Sequence, residues 1–184
     1  MKHIIIGCPR NGSTFISNAL KINGLEVGHE KYKKDGISSW VLAGENDYTP
    51  WGPSFNEVIN KIGDSDYTIH HQIREPLSTI SSITTINDKS WEYISNFIDL
   101  SQTNSLLHKS MLFWYEWNLR CESITNKRYR LIEYKTYFDL EHDYKNTKIN
   151  SRKHTFYNLE DLFHEDEELC NKIIKMSQKY GYEL

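Results

Sequence analysis

The chain has 184 residues, enough for one domain with a sizeable core, and its 13% aromatic content compensates for a modest hydrophobic content of 38%. We therefore predict one folded domain over residues 1–184 rather than a disordered chain. The formal net charge of −3 argues against broad nucleic-acid binding, and no stretch is apolar and long enough to span a membrane.

The first predicted strand begins almost at the N-terminus, so we expect no signal peptide or membrane anchor and a cytoplasmic location. The cysteines are three in number and widely spaced, at Cys8, Cys121 and Cys170. This spacing indicates free thiols in a reducing compartment rather than a disulfide framework or a zinc site.

The N-terminal stretch combines a strand, a glycine loop and a helix. A β-branched run at residues 4–6 predicts a buried strand, Gly7 and Gly12 bracket a turn, and residues 13–21 have a helical pattern. Glycines let backbone N–H groups turn inward, and the start of a helix adds further N–H groups and the positive end of its dipole. The pattern predicts a phosphate cradle, and the alternative is a structural turn without a ligand.

This loop differs from the nucleotide-triphosphatase loop G-x-x-x-x-G-K-[ST]. The glycines of that pattern fall at Gly7 and Gly12, but the lysine position holds Ser13. A cation stands inside the loop instead, at Arg10, and Ser13 and Thr14 add hydroxyl donors.

The next elements predict more of an α/β sheet. Residues 25–28 form a second predicted strand that ends in His29 and Glu30, which we expect beside the cradle, where open α/β sheets bind their ligands. Residues 31–40 are predicted as a loop, either solvated or forming a lip over the site. A helix begins at residues 40–43, residues 47–53 form a loop, and Ser54 caps a helix that runs to Ile62 and ends at Gly63.

A second strand-to-helix turn follows. Residues 67–73 predict a strand, and Arg74-Glu75-Pro76 leads into a helix through residue 83, with Pro76 in its first turn. Serines recur on this helix at Ser78, Ser81 and Ser82. An arginine at a strand end followed by helical hydroxyls predicts a second anion site; the alternative is a surface arginine with solvated serines.

The remainder completes the predicted α/β fold, a three-layer sandwich with a central, mostly parallel sheet and a P-loop NTPase-like topology. Residues 88–120 are predicted to be helical, with a core stripe of large apolar residues, and residues 129–134 are predicted as a strand. A loop over residues 141–148, a basic group at residues 150–154 and a final helix over residues 166–180 follow.

Two of these motifs resemble those of sulfotransferases that use 3′-phosphoadenosine 5′-phosphosulfate (PAPS). Gly-Cys-Pro-Arg-Asn-Gly-Ser-Thr-Phe at residues 7–15 is similar to the family's loop G-x-P-[KR]-[SN]-G-[ST]-T. Arg-Glu-Pro-Leu-Ser-Thr-Ile-Ser-Ser at residues 74–82 resembles its second motif, R-[DN]-P-x-D-x-x-x-S. The basic group at residues 150–154 resembles the C-terminal loop of small bacterial-type members.

The resemblance implies a role for each matching residue. The 5′-phosphosulfate would be bound by Arg10, Asn11, Gly12, Ser13 and Thr14, with Phe15 near the nucleotide. The 3′-phosphate would be bound by Arg74 and Ser82, supplemented by Arg152 and Lys153. The sequence departs from the family at Arg10, usually lysine, and at Ser78, usually aspartate.

The implied reaction is in-line transfer of a sulfuryl group to a hydroxyl or amine, with PAP as the second product and no metal. Arg10 would stabilise the charge on the leaving oxygen, and Glu30 or His29 would act as the base, with Glu30 the first choice. The acceptor is a small molecule or a glycan; neither its identity nor the oligomeric state follows from the sequence. Two alternatives are a protein that binds PAPS or PAP without catalysis and a nucleotide kinase-like P-loop protein.

Overall fold

A computed structural model describes residues 1–44, 49–101, 103–145 and 153–184. The chain divides into two compact units, one formed by residues 1–73 and 120–151 and the other by residues 74–119 and 152–184. We refer to them as the sheet unit and the helical unit. The prediction of one domain over the whole chain stays a prediction.

The sheet unit contains all five strands found in the described residues. They are β1 (Lys2–Ile6), β2 (Val27–His29), β3 (Gly36–Ser38), β4 (Tyr67–Ile73) and β5 (Arg128–Arg130). Every pair is parallel and the order across the sheet is β2-β3-β1-β4-β5. The predicted α/β class and the parallel central sheet of a three-layer sandwich are confirmed, while the P-loop topology itself stays a prediction.

The strand order creates a topological switch point between β1 and β4. From β1 the chain passes through α1 (Ser13–Ile22) toward β2, and from β4 it continues on the opposite side toward β5. Ile6 of β1 pairs with His71 of β4, so the two strands end at the same edge. Open α/β sheets bind ligands at this kind of position, outside the carboxyl ends of the strands.

Burial of apolar side chains holds α1 against the sheet. Ile16, Ala19 and Leu20 of α1 are fully buried in a cluster with Ile5 of β1 and Val27 of β2. The cluster is completed by Tyr129, Tyr134 and Leu140, with Phe15, Leu25, Phe138 and Tyr144 packed against it. Because apolar burial contributes roughly 25 cal/mol per Å² removed from water, this packing holds α1 on the sheet.

Several local predictions are confirmed to the residue. Helix α2 (Phe55–Ile62) begins at Ser54, whose side chain accepts from the amide of Glu57 in a reciprocal capping box. Helix α3 (Pro76–Ile83) begins at Pro76, where a missing N–H costs nothing. In the helical unit, α4 (Asp88–Ile94), α5 (Leu106–Ile124, which crosses into the sheet unit after Leu119), α7 (Leu159–Glu165) and α8 (Glu167–Lys179) follow.

Other local predictions differ from the structure, either in the bounds of an element or in its type. The predicted loop at residues 31–40 contains β3, and the second strand is Val27–His29 rather than residues 25–28. The predicted strand at 129–134 ends at Arg130 and continues as a 3₁₀ turn, Leu131–Glu133, and a short helix, α6 (Tyr134–Tyr137). Helicity over residues 88–120 is interrupted between α4 and α5, and α7 was not predicted.

Candidate functional site

The cradle loop, defined here as residues 7–15, turns through two left-handed residues. Arg10 has φ 67° and Gly12 has φ 97°, and between them the amide of Asn11 donates to the carbonyl of Cys8 at 3.3 Å. Glycine adopts this conformation readily, whereas an arginine there costs about 1 kcal/mol. The loop therefore holds a local strain at its only cation.

Helix α1 begins without a side-chain cap. Its N-cap residue is Gly12, which has no side chain to offer, and the first turn carries no acidic residue. The first intrahelical bond runs from the amide of Ile16 to the carbonyl of Gly12 at 3.0 Å. The amides of residues 13–15 come before this bond and have no carbonyl acceptor within the helix. These amides and the helix dipole favour an anion at this end.

The two glycines of the loop are required by packing within the protein. A Cβ on Gly7 would lie 2.0 Å from Asn11 Nδ2 and 2.5 Å from the carbonyl oxygen of Gln72. A Cβ on Gly12 would lie 2.7 Å from Leu131 Cδ2. The motif glycines thus let the loop close on β4 and on the turn after β5.

The contacts of Asn11 favour a role in shaping the loop rather than in binding an anion. Its side chain is buried, and Nδ2 donates to the carbonyl of Gln72 at 3.3 Å. The remaining Oδ1 is a buried acceptor without a hydrogen-bond partner among the described residues, and an acceptor does not suit a phosphate or sulfate oxygen. Arg10, Ser13 and Thr14 are donors on the half-buried part of the loop and do suit one.

The structure brings His29 to the start of α1. His29 Nε2 lies 3.1 Å from Ser13 Oγ, within hydrogen-bonding distance, and 3.8 Å from Glu30 Oε1. Glu30 follows β2 in a left-handed conformation with φ 53°, and its amide donates to the carbonyl of Ser38 at 3.1 Å. Both side chains remain partly exposed, 31% for His29 and 28% for Glu30, so a substrate can reach them.

Partial burial moves the two pKa values in opposite directions. Desolvation lowers the pKa of His29 below its ordinary value and raises the pKa of Glu30 above its ordinary value, because burial disfavours whichever form is charged. At neutral pH His29 is therefore neutral. The raised pKa of Glu30 brings the carboxylate closer to the range in which a general base works best.

Ser13, His29 and Glu30 do not form a nucleophilic triad. In a triad the histidine contacts the serine through one ring nitrogen and the carboxylate through the other. Here Ser13 and Glu30 both approach Nε2. The arrangement fits proton acceptance from a substrate better than activation of Ser13 as a nucleophile.

The second predicted anion site begins with a capped helix. Both carboxylate oxygens of Glu75 accept from the first turn of α3, from the amides of Leu77 at 2.9 Å and Ser78 at 2.7 Å. The N-terminus of α3 is therefore already occupied by a negative charge. An anion bound here must be held by side chains such as Arg74 and Ser82.

Arg74 is half-buried and stays charged. Burial lowers its pKa, and the neighbouring carboxylate of Glu75 opposes that shift. Because a guanidinium group stays protonated well into the basic range, this lowering leaves Arg74 charged at neutral pH. Ser82, eight positions later, lies buried on α3.

The C-terminal segment is joined to α3 within the helical unit. The amide of Tyr157 donates to Ser81 Oγ at 2.9 Å, and Ser81 is the neighbour of Ser82. Lys153 lies four positions before Tyr157 and is exposed. Arg152, the other predicted ligand of the 3′-phosphate, lies outside the described residues.

Phe15 and Cys8 pack inside the protein, and their surroundings favour a structural role for both. The ring of Phe15 makes edge contacts with Tyr134 and Tyr144, each at 5.2 Å between centroids, as part of the core cluster. Cys8 is buried, and burial raises its pKa well above the ordinary value, which disfavours a nucleophilic thiolate. The cysteines at 8, 121 and 170 are all free and buried.

Sequence reasoning missed Gln72 and Leu131, which contact the loop, and Tyr129 of β5, whose hydroxyl bonds to Gln72. Gln72 has zero exposure in the structure, whereas the sequence only places a glutamine near the end of a predicted strand, which does not reveal its contact with the loop. Contacts with the loop depend on strand order, which the sequence does not display.

No family model and no curated protein matches this chain. Within the described residues, no helix has the length and apolar character needed to cross a membrane. In the same part of the chain, no group of three or more His, Cys, Asp or Glu side chains is arranged to hold a metal ion.

Proposed function

We propose that this protein is a PAPS-dependent sulfotransferase that moves a sulfuryl group to the hydroxyl or amine of a small-molecule or glycan acceptor in the cytoplasm. One observation carries the proposal: the first turn of α1 has no side-chain cap and no acidic residue, and the titratable pair, His29 and Glu30, lies beside it. Gly12 caps α1 without a side chain, and His29 Nε2 lies 3.1 Å from the hydroxyl of the first helical residue, Ser13.

The residues of the cradle loop fit the anionic end of the nucleotide. The amides of the first turn of α1, with the hydroxyls of Ser13 and Thr14 and the guanidinium of Arg10, would hold the 5′-phosphosulfate. When bound, PAPS supplies an activated sulfuryl group. Arg10 and the loop amides would stabilise the negative charge on the oxygen that remains with the 5′-phosphate.

The proton of the acceptor would pass to Glu30, our first candidate for the base, or to His29. As the acceptor oxygen bonds to sulfur and the bond from sulfur to the phosphate oxygen breaks, the carboxylate takes up the hydroxyl proton, so charge and atoms balance. Glu30 is preferred because His29 Nε2 already contacts Ser13, and the raised pKa of Glu30 suits a base near neutral pH.

The 3′-phosphate would be bound in the helical unit by Arg74 and Ser82, with Lys153 supplementing them. This part of the proposal rests on the motif resemblance and on the charged state of Arg74. The tie between Tyr157 and Ser81 supports it, because it holds the basic C-terminal segment on the helix that carries Ser82.

Calorimetric titration of PAP tests the nucleotide site. Parent protein and Arg74→Ala would be titrated with PAP and, in parallel, with ATP and Mg²⁺. We expect micromolar binding of PAP that weakens about 10- to 100-fold in the variant, as the loss of a hydrogen bond to a charged group costs roughly 1.5–3 kcal/mol. Arg74→Lys, which keeps the charge but loses the fork of donors, should fall between the two.

Two results would redirect the assignment. Preference for ATP and Mg²⁺ over PAP would favour a nucleotide kinase-like protein. Binding of PAP with no transfer from PAPS to a panel of phenols, amines and sugars would favour a protein that binds the nucleotide without catalysis.

A further inference from the structure

Two buried amide side chains fasten the cradle loop to the neighbouring strand. Gln72 Nε2 donates to the carbonyl of Asn11 at 3.0 Å, and Asn11 Nδ2 donates to the carbonyl of Gln72 at 3.3 Å. We call this reciprocal pair, Asn11 and Gln72, the amide clamp. A main-chain carbonyl can only accept, so each contact determines which end of the amide is the nitrogen.

Tyr129 of β5 orients the Gln72 side of the clamp. Its hydroxyl contacts Gln72 Oε1 at 2.5 Å, and because Oε1 is an acceptor the hydroxyl must be the donor. Burial raises the pKa of Tyr129 well above its ordinary value, so the hydroxyl keeps its proton. Both ends of the Gln72 amide are satisfied in one orientation only.

The clamp explains the first glycine of the loop. Any side chain on Gly7 would begin 2.0 Å from Asn11 Nδ2, in the space that the clamp occupies. The clamp also grips the residue between the two left-handed positions, Arg10 and Gly12. A conformation of this kind persists only where its surroundings hold it.

We propose that Gln72 is a positioning residue for the cradle loop: oriented by Tyr129, it holds the main chain of Asn11 so that Arg10 and the start of α1 face one anion. Gln72 acts through Asn11 rather than by touching the ligand. The identity of the anion rests on the proposed function, whereas the hold on the loop can be measured without any ligand.

The test compares Gln72→Met with Thr125→Val. Each change removes two side-chain hydrogen bonds. Gln72 loses those with the Asn11 carbonyl and the Tyr129 hydroxyl. Thr125 loses its donation to the Ile69 carbonyl at 2.9 Å and its acceptance from the Lys127 amide at 3.1 Å, neither of which involves the loop. Amide hydrogen exchange is measured on the unliganded proteins. We expect amide exchange at residue 8 and residues 10–13 to accelerate about tenfold or more in Gln72→Met and less than about twofold in Thr125→Val.

Affinity for PAP separates a positioning role from general destabilisation. We expect it to fall about tenfold in Gln72→Met and to change less than about twofold in Thr125→Val. The double variant Asn11→Ala/Gln72→Met should lose no more affinity than Gln72→Met alone, because the two residues act as one unit.

A second, milder pair guards against a failure to fold. Tyr129→Phe removes the hydroxyl that orients Gln72, while Tyr137→Phe removes a hydroxyl that bonds to His70 Nδ1 from the ring stacked on Tyr129. We expect Tyr129→Phe to accelerate amide exchange in the cradle loop and Tyr137→Phe to leave it unchanged. If Gln72→Met does not fold, this pair decides the question by the same exchange measurement.

The outcomes of the positioning test and of the functional test are distinct. Equal loop exchange in Gln72→Met and Thr125→Val, or in Tyr129→Phe and Tyr137→Phe, would overturn the positioning role. A third outcome is also possible. If loop exchange accelerates in Gln72→Met but the parent protein does not bind PAP, the positioning role is supported and the sulfotransferase proposal is removed.

Discussion

The chain contains two strand-to-helix turns that look alike in sequence and differ in what they leave open. The turn after β1 ends in Gly12, which leaves the start of α1 without a side-chain cap. The turn after β4 contains Glu75, whose carboxylate caps α3. Both turns carry an arginine, Arg10 in the first and Arg74 in the second.

The two turns show that an arginine can stand beside a helix start whether or not a side chain already caps that helix. At α1 no side chain caps the first turn, so in the site we propose the main-chain amides and the side chains would hold the anion together. At α3 the main-chain donors are already used, so any anion depends on side chains alone. Four experiments would break or sharpen this comparison, and we give them from the largest expected effect to the smallest.

Replacement of the candidate base should have the largest effect. In Glu30→Gln we expect transfer of labelled sulfate from PAPS to fall about 10²- to 10⁴-fold, because a general base contributes that much, while PAP affinity stays within about twofold. The matched variant is His29→Asn. If it loses activity and Glu30→Gln does not, the base is His29; if neither does, the titratable pair has no part in catalysis.

Acid should weaken the sheet unit before the helical unit. Burial, with smaller contributions from His3 and Lys127, lowers the pKa of His70 from 6.5 to about 3. His3 Nδ1 lies 3.0 Å from His70 Nε2, and burial lowers the pKa of His3 as well.

The sign of the pH effect follows from those shifts. Between the two pKa values the unfolded state binds a proton at each histidine that the folded state does not bind. The free energy of unfolding is therefore highest above about pH 6.5 and falls as pH decreases toward 3. The loss is at most about 1.4 kcal/mol per pH unit for each histidine. Hydrogen exchange at pH 7.5 and about 5 should show earlier loss of protection in β1 and β4 than in α8. His70→Gln should flatten the dependence; uniform loss across both units would contradict this account.

Gly12→Ala tests the packing that shapes the first turn. An alanine would adopt φ 97° and place its Cβ 2.7 Å from Leu131 Cδ2, so we expect a loss of about 1–3 kcal/mol in urea unfolding. Gly63→Ala is the matched control, since its φ is 57° and a Cβ there meets nothing within 4 Å. A smaller loss in Gly12→Ala than in Gly63→Ala would show that Leu131 does not constrain the loop.

Glu75→Ala should change stability and affinity in opposite directions. Loss of the cap should cost about 1 kcal/mol of stability, and removal of the carboxylate beside Arg74 should strengthen PAP binding about two- to fivefold. The control is Asn87→Ala, which removes the side-chain cap of α4. It should lower stability by about the same amount as Glu75→Ala and leave PAP affinity unchanged. Weaker PAP binding in Glu75→Ala would mean that the cap positions Arg74.

The features that the sequence determined by itself are those set by neighbours along the chain. They include the N-cap of α2 at Ser54, the start of α3 at Pro76 and the strand at residues 67–73. Each depends on a cap, a fixed φ or propensity, which act within a few residues. For the same reason the loop with Gly7, Arg10 and Gly12 could be recognised as a turn into a helix.

Tertiary structure alone decided the short elements and the surroundings of the loop. Strand β3 has three residues, Gly-Ile-Ser, and exists because it pairs with β1 on one side and β2 on the other. Residues 131–137, rich in strand formers, turn away from the sheet after three paired residues of β5. Propensity is a weak guide where pairing partners, and not the segment itself, supply the hydrogen bonds.

The candidate site divides in the same way. The sequence indicated His29 and Glu30 because a strand ended there, but the 3.1 Å contact with Ser13 depends on how α1 packs on the sheet. The sequence did not indicate Gln72 and Tyr129, because their role depends on strands that are distant in sequence and adjacent in the sheet. Hydrogen bonds of this kind are set by strand order and register, which only the folded chain determines.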